Sequence, residues 1–251
     1  MRKCVVLGLS MLLIVASANA QMSDKAKMGR ELFYDASFGG TLDSGKVTGL
    51  SCAHCHADFD ETANPDGLNR SGHSVVGVPH RGEAKGGMIK GDMFRRAAGG
   101  GGFCYEHFLQ GIRNEDVNPT HIPAEQAEAL MAYFEHISGD DKGSMFQIQM
   151  LNDEQAKAAA DSILKMTADV NRGWKLYGQT CAVCHPTPKK SGIGPQLVRA
   201  RPVPDVQQRK HKIISYVRKG GSVMPFFASD RLSDQDLADI AAFLGQLSAG
   251  Q

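Results

Sequence analysis

Aromatic side chains are scarce: 7% of 251 residues, with a single tryptophan, against a hydrophobic share of 42%. Any core must therefore be filled by aliphatic side chains or by something that is not protein. Net charge is nearly absent, because 28 Lys and Arg against 27 Asp and Glu leave +1. Nothing global points to nucleic acid as a partner. No apolar run reaches the length of a membrane span, and no triplet glycine period suggests a collagen-like fibre. The composition is too well mixed for a disordered chain. The length suits one large domain or two small ones.

The start of the chain reads as an export signal. Arg2 and Lys3 are basic, Val5 to Val15 is apolar, and Ala18-Asn19-Ala20 fits a cleavage site. Residues 1–20 are therefore expected to be removed, which takes away two cations and no acid. The rest is expected to be periplasmic, with no membrane span.

Export changes how cysteines are read. Beyond Cys4 there are five: Cys52, Cys55, Cys104, Cys181 and Cys184. An odd count argues against a pure disulfide framework. Four of them form two copies of one motif, Cys52-Ala53-His54-Cys55-His56 and Cys181-Ala182-Val183-Cys184-His185. Two thiols at this spacing can form thioethers with the two vinyl groups of one haem, and the adjacent histidine then faces the iron. A zinc site or a redox dithiol is the competing reading of a single motif. Two copies in an exported chain favour two covalent haem c groups, with His56 and His185 as proximal ligands. Haem would also supply the missing core volume.

The frames around the motifs repeat as well. Met28-Gly29-Arg30-Glu31-Leu32-Phe33 precedes the first motif, and Arg172-Gly173-Trp174-Lys175-Leu176-Tyr177 precedes the second. Amphipathic helices are expected at 127–138 and 237–248, with Tyr133 and Phe243 in register. Both halves resemble class I cytochromes c, whose terminal helices cross at a glycine and an aromatic. The resemblance implies Gly29 against Tyr133, and Gly173 against Phe243. It implies an all-α fold of two tandem cytochrome c-like domains, at 21–138 and 167–251. A linker at 139–166 joins them, with a helix capped by Asn152.

Over its second domain the resemblance to class I cytochromes c is detailed. Gly194-Pro195 stands where the family's proline carbonyl accepts the proximal histidine N–H. Met224-Pro225 stands at the place of the family's distal methionine, and Ser233 caps the final helix. Met224 is thus the implied second ligand there, with Lys212 or His211 as alternatives.

No Met-Pro marks the first domain. The candidate distal ligands are His73, His80, Met88, Met93, Cys104, His107 and His121. Cys104 stands out as the unpaired thiol, next to four glycines that would let backbone pass close to a flat haem. Layout and spacing here resemble diheme thiosulfate dehydrogenases and the A subunit of SoxAX cytochromes. The matching pieces are Ser51 to His56, Leu68 to Pro79 with its Gly72, Cys104 with Glu106, and the helix ending at Tyr133. The resemblance implies a haem ligated by His56 and Cys104. It implies oxidation of a small sulfur anion there, with Arg95 and Arg96 holding the anion. Gly29 to Asp35 and Ser51 to His56 also resemble diheme peroxidases of the MauG type. A non-catalytic electron shuttle is the third reading.

Charge is unevenly spread. Residues 189–219 hold nine cations against Asp205, residues 81–96 five against two acids, and residues 115–161 ten acids against two lysines. The 189–219 patch is expected to steer a soluble cytochrome or another acidic redox protein.

Overall fold

The computed structural model describes residues 21–41, 48–80, 102, 104–111, 122–141, 151–198, 205–221 and 223–249. The helices are α1 (Asp24–Tyr34), α2 (Cys52–Cys55), α3 (Tyr105–Leu109), α4 (Ala124–Ser138), α5 (Asp153–Ile163), α6 (Val170–Thr180), α7 (Val206–Lys219) and α8 (Asp234–Ser248). Short 3-10 turns occupy Phe38–Thr41 and Val78–His80. The described residues include no β-strand, only two isolated bridges. The fold is helical, as expected. No helix among the described residues is long and apolar enough to cross a membrane.

Side-chain caps start most of the longer helices. Ser23 accepts from the Ala26 N–H at 3.2 Å, Asp205 from Gln208 at 2.8 Å and Ser233 from Asp236 at 3.1 Å. Asn152 and Gln155 form a reciprocal box at the start of α5. That helix runs through the segment read as a linker. It packs on α7 and α8 and contributes Ala160 and Ile163 to the core beneath them.

Two helix crossings organise the molecule. α1 lies across α4, and α6 lies across α8. Each crossing is made at a glycine. A methyl group built on Gly29 would overlap the Ala129 carbonyl and come within 2.8 Å of Tyr133 Cβ. One built on Gly173 would overlap the Asp239 carbonyl and reach Ile240 N at 3.0 Å. The expected Gly29–Tyr133 approach is present. In the second crossing Phe243 instead packs on Tyr177 of α6, with ring centroids 5.6 Å apart, and Gly173 meets the backbone one turn earlier. Asp239, 1% exposed, ties the second crossing together. It accepts from the Asp169 N–H at 2.9 Å and from Gln235 at 2.9 Å, and it pairs with Arg172.

The cores are separate but touch. Phe33, Phe38, Tyr105, Leu130, Tyr133 and Phe134 lead the first; Ile163, Ile214, Leu237, Ile240 and Leu244 lead the second. Cys184, Ile193 and Val223 of the second half pack against the first core.

Gly173→Ala must push two helix backbones apart. We expect it to destabilise the holoprotein by about 3 kcal/mol, the upper end of ordinary overpacking, and to lower Tm by roughly 6–12 °C. Gly178 lies on the same helix with open space around it. Gly178→Ala should be neutral or raise Tm, by up to about 1 kcal/mol of helix propensity. Thermal unfolding by circular dichroism checks both.

Candidate functional site

The second motif follows directly from α6. Cys181 ends that helix, and the His185 N–H bonds back to the Cys181 carbonyl at 2.8 Å. The ring of His185 is held from two sides. Its Nδ1 bonds to the Pro195 carbonyl at 2.8 Å. Its flat face lies on Gly194, where a methyl group would come within 2.6 Å of Nδ1. The Gly194 N–H in turn bonds to the Cys184 carbonyl at 2.9 Å. A carbonyl can only accept, so Nδ1 carries the proton and Nε2 carries the lone pair. This is the tautomer a metal-ligating imidazole needs, with its basicity raised by the acceptor behind it. Burial holds His185 below the usual imidazole range, which keeps the ring neutral.

The first motif repeats this arrangement atom for atom. The His56 N–H bonds to the Cys52 carbonyl at 2.9 Å, and His56 Nδ1 bonds to the His73 carbonyl at 2.7 Å. The ring lies on Gly72, where a methyl group would stand 2.5 Å from Nδ1, and the Gly72 N–H bonds to the Cys55 carbonyl at 2.8 Å. The other histidine of the motif, His54, turns back to Ser51, whose N–H donates to its Nδ1 at 2.9 Å.

The five described cysteines are all thiols. Burial pushes Cys52 and Cys181 up to about 12 and Cys184 up to about 11. A redox dithiol needs a depressed thiol instead. Among the described residues no group of three or more His, Cys, Asp and Glu is arranged to hold a metal ion. Paired neutral thiols beside an oriented imidazole do fit a covalently attached haem. Cys52, Cys55 and His56 would hold one, and Cys181, Cys184 and His185 another.

Met224 is half-buried against the second core. A tight turn holds it, with the Gly221 N–H on the Met224 carbonyl at 3.0 Å and the reverse bond at 2.9 Å. Gly220, at φ +73°, lets the chain enter this turn. The alternatives point elsewhere: Lys212 lies over the Tyr216 ring and His211 faces Asp161 at 3.3 Å.

Cys104 stands at the start of α3, a wide helical turn closed by the Gln110 N–H on the Tyr105 carbonyl at 2.9 Å. Such i→i+5 turns gather at functional sites. Burial, then Cys55 and Cys52, push its thiol up to about 12. The structure thus brings Cys104 to the first motif. His73 lends its carbonyl to His56 Nδ1, and its own Nε2 faces Asp230 at 3.3 Å. His80 Nε2 bonds to the Gly139 carbonyl at 2.8 Å, and His107 stacks edge-on against Phe108. Met88, Met93, Arg95, Arg96 and His121 lie outside the described residues.

Two further features have no counterpart in the sequence reading. Asp58, just after His56, accepts from both the Tyr34 hydroxyl, at 2.6 Å, and the Tyr133 hydroxyl. Burial, then Asp58, pushes Tyr34 up to about 12. Also, Cys184 of the second motif packs against the first core, as Cys52 of the first motif does.

The basic stretch 189–219 divides into structural and surface cations. Arg218 is 3% exposed and bonds to the Phe227 and Leu232 carbonyls, both at 2.9 Å, and to Asp234. Arg209 bonds to the Leu197 carbonyl, and Lys219 pairs with Asp153 at 2.7 Å. Lys189, Lys190 and Lys212 are exposed. Arg199 and Arg201 lie outside the described residues.

Residues 168–244 match the family described as cytochrome c oxidase, cbb3-type, subunit III. The match covers α6, the second motif, Met224 and most of α8. The chain therefore carries a c-type cytochrome domain, whose class binds haem c covalently and transfers electrons. A comparison with curated proteins finds no match.

Gly194→Ala should drive the His185 ring off its carbonyl. We expect haem c held at Cys181, Cys184 and His185 to lose its wild-type absorption spectrum in most molecules. Spectral titration of the purified holoprotein would show it, and a spectrum like the wild type would mean the ring tolerates the methyl group.

Proposed function

We propose that this is an exported, periplasmic two-haem c-type cytochrome. It takes electrons from a small sulfur anion such as thiosulfate at its first site and delivers them through its second site to a soluble redox protein. The supporting observation is the duplicated histidine geometry. His56 on Gly72 and the His73 carbonyl repeats His185 on Gly194 and the Pro195 carbonyl. Haem iron, when bound, supplies a one-electron Fe(III)/Fe(II) couple at each place.

The chain's own residues set the direction of flow. Met224 offers a neutral thioether, which favours the ferrous state and a higher potential. Cys104 offers a sulfur that burial alone keeps protonated. Ferric iron would deprotonate it, and the resulting anion favours the ferric state and a lower potential. A gap of about 120 mV would favour flow toward the second site by roughly a hundredfold. Cys184, packed against the first core, offers a link for that flow.

At the first site, joining two thiosulfate dianions through one S–S bond releases two electrons and no proton. Arg95 and Arg96 would neutralise the approaching anions, and Cys104 would yield its place or take part in the sulfur exchange. The exit for electrons lies on the second half. A groove of about 570 Å³ beside the motif is lined by Trp174, Lys175, Ala182 and Pro188, with Trp174 62% exposed. Lys175, Lys189 and Lys190 would attract an acidic partner there.

Intact mass of the denatured mature protein should exceed the polypeptide by two haem masses; a one-haem mass would sink the two-domain reading. Thiosulfate should reduce the purified protein, while peroxide turnover should be absent. If thiosulfate leaves the absorption spectrum unchanged, the non-catalytic shuttle replaces this reading.

Cys104→Ala should raise the lower potential by about 120 mV or more, roughly a hundredfold bias. It should also change the low-spin electron paramagnetic resonance signal and abolish thiosulfate oxidation. An unchanged signal and potential would make Cys104 a bystander.

A further inference from the structure

The segment 61–74 holds the first site's histidine, yet it is itself held from the other half of the molecule. Gly72 carries the His56 ring and the His73 carbonyl accepts from His56 Nδ1. Two residues upstream, the Arg70 carbonyl accepts from Arg231 Nε at 3.1 Å. The same guanidinium grips Glu61 with both of its terminal nitrogens, one of them at 3.2 Å. Glu61 Oε2 also accepts from the Ser74 N–H at 2.9 Å, which closes the segment's two ends on one carboxylate. Asp230, next to Arg231, faces His73 Nε2 at 3.3 Å. The Asn69 N–H bonds to the Gln179 carbonyl of α6 at 2.9 Å.

Arg70 extends the link inward. Its Nε donates to the Ala53 carbonyl, inside the first motif, at 3.0 Å, and its terminal nitrogens pair with Asp66 at 2.6 and 3.2 Å. The Arg231 side chain is 14% exposed and Glu61 27%. This is a bidentate, charge-assisted pair with little solvent screening, unlike a surface ion pair. Arg231 spends all three guanidinium nitrogens on one segment of the opposite half.

We propose that Arg231 is a positioning residue for the first haem site. It acts from the second half through Glu61 and the Arg70 carbonyl, and fixes the carbonyl and glycine that orient His56. The proposal rests on the two-haem reading. An outer acceptor fixes a ligating imidazole and raises its basicity. A more basic imidazole favours ferric iron. Releasing the segment weakens the His56 Nδ1 bond, so the first potential rises although no residue near it has changed.

The test compares the holoprotein with Arg231→Met, Arg231→Lys and Glu61→Gln by intact mass and by optical redox titration. The expected result is two haem masses throughout. Arg231→Met should move the lower-potential wave upward by a three- to tenfold bias, up to about 59 mV, and leave the higher wave in place. Arg231→Lys keeps the charge without the planar fork and should recover only part of the shift. Glu61→Gln breaks the pair from the other side with an isosteric side chain. It should shift the same wave, and the double variant should move it no further. Two haem masses with the lower wave unmoved in both Arg231→Met and Glu61→Gln would overturn the proposal, as would movement of the higher wave alone. A one-haem mass in the wild type would overturn the two-haem reading, and the proposal with it.

Discussion

An imidazole that must present Nε2 to a metal has to be stopped from rotating, and this chain stops it twice in the same way. A backbone carbonyl takes the Nδ1 proton, and a glycine one residue earlier presents a flat surface without a Cβ. The glycine N–H then closes on the carbonyl of the motif's second cysteine. Much else serves this lock. α6 delivers Cys181 directly, and Tyr177 on that helix donates its hydroxyl to the His185 carbonyl. The crossings at Gly29 and Gly173 bring the closing helices onto the entry helices without gaps. The site's stiffness is thus a property of backbone contacts, which side-chain substitution elsewhere can loosen only indirectly.

Most of the helical frame was legible because its signals are local. The caps at Asn152 and Ser233 hold, and the crossing glycines stand where the repeated Gly and aromatic pattern put them. The Pro195 acceptor was legible too, because Gly-Pro follows its motif at short range. Its partner at Gly72-His73 was not. The loop between motif and lock is longer there, and a histidine in place of the proline reads as a ligand rather than as the residue whose carbonyl accepts from His56. The contacts between the halves left no trace in the pattern. Glu61 and Arg231 are separated by 170 residues, and neither belongs to a motif.

Charge shows how summed sequence properties mislead. The stretch 189–219 looks like one basic surface when counted. Arg218 spends its charge on buried carbonyls and Asp234, Arg209 on a loop carbonyl, and Lys219 on α5. These cations stabilise chain reversals and helix contacts, and they are unavailable to a partner. The same holds for Arg172, whose charge goes to Asp236 and Asp239 at the helix crossing. Among the described residues of the stretch, Lys189, Lys190 and Lys212 remain exposed and open to long-range attraction.

The lock has a consequence for which insertions each half can tolerate. Its two ends, the cysteine carbonyl and the glycine N–H, are fixed, but the chain between them is a loop of free length, and the halves already differ there. In the second half that loop meets the first half by packing, with Ile193 against the first core and beside Gly49. In the first half it is gripped at Glu61, Asn69, Arg70 and His73 by residues more than a hundred positions away. A lineage that lengthened it would have to alter the turn at Asp230 and Arg231 together with it. The length of the first loop is therefore coupled to the Asp230–Arg231 turn of the other half, a constraint that contacts alone impose.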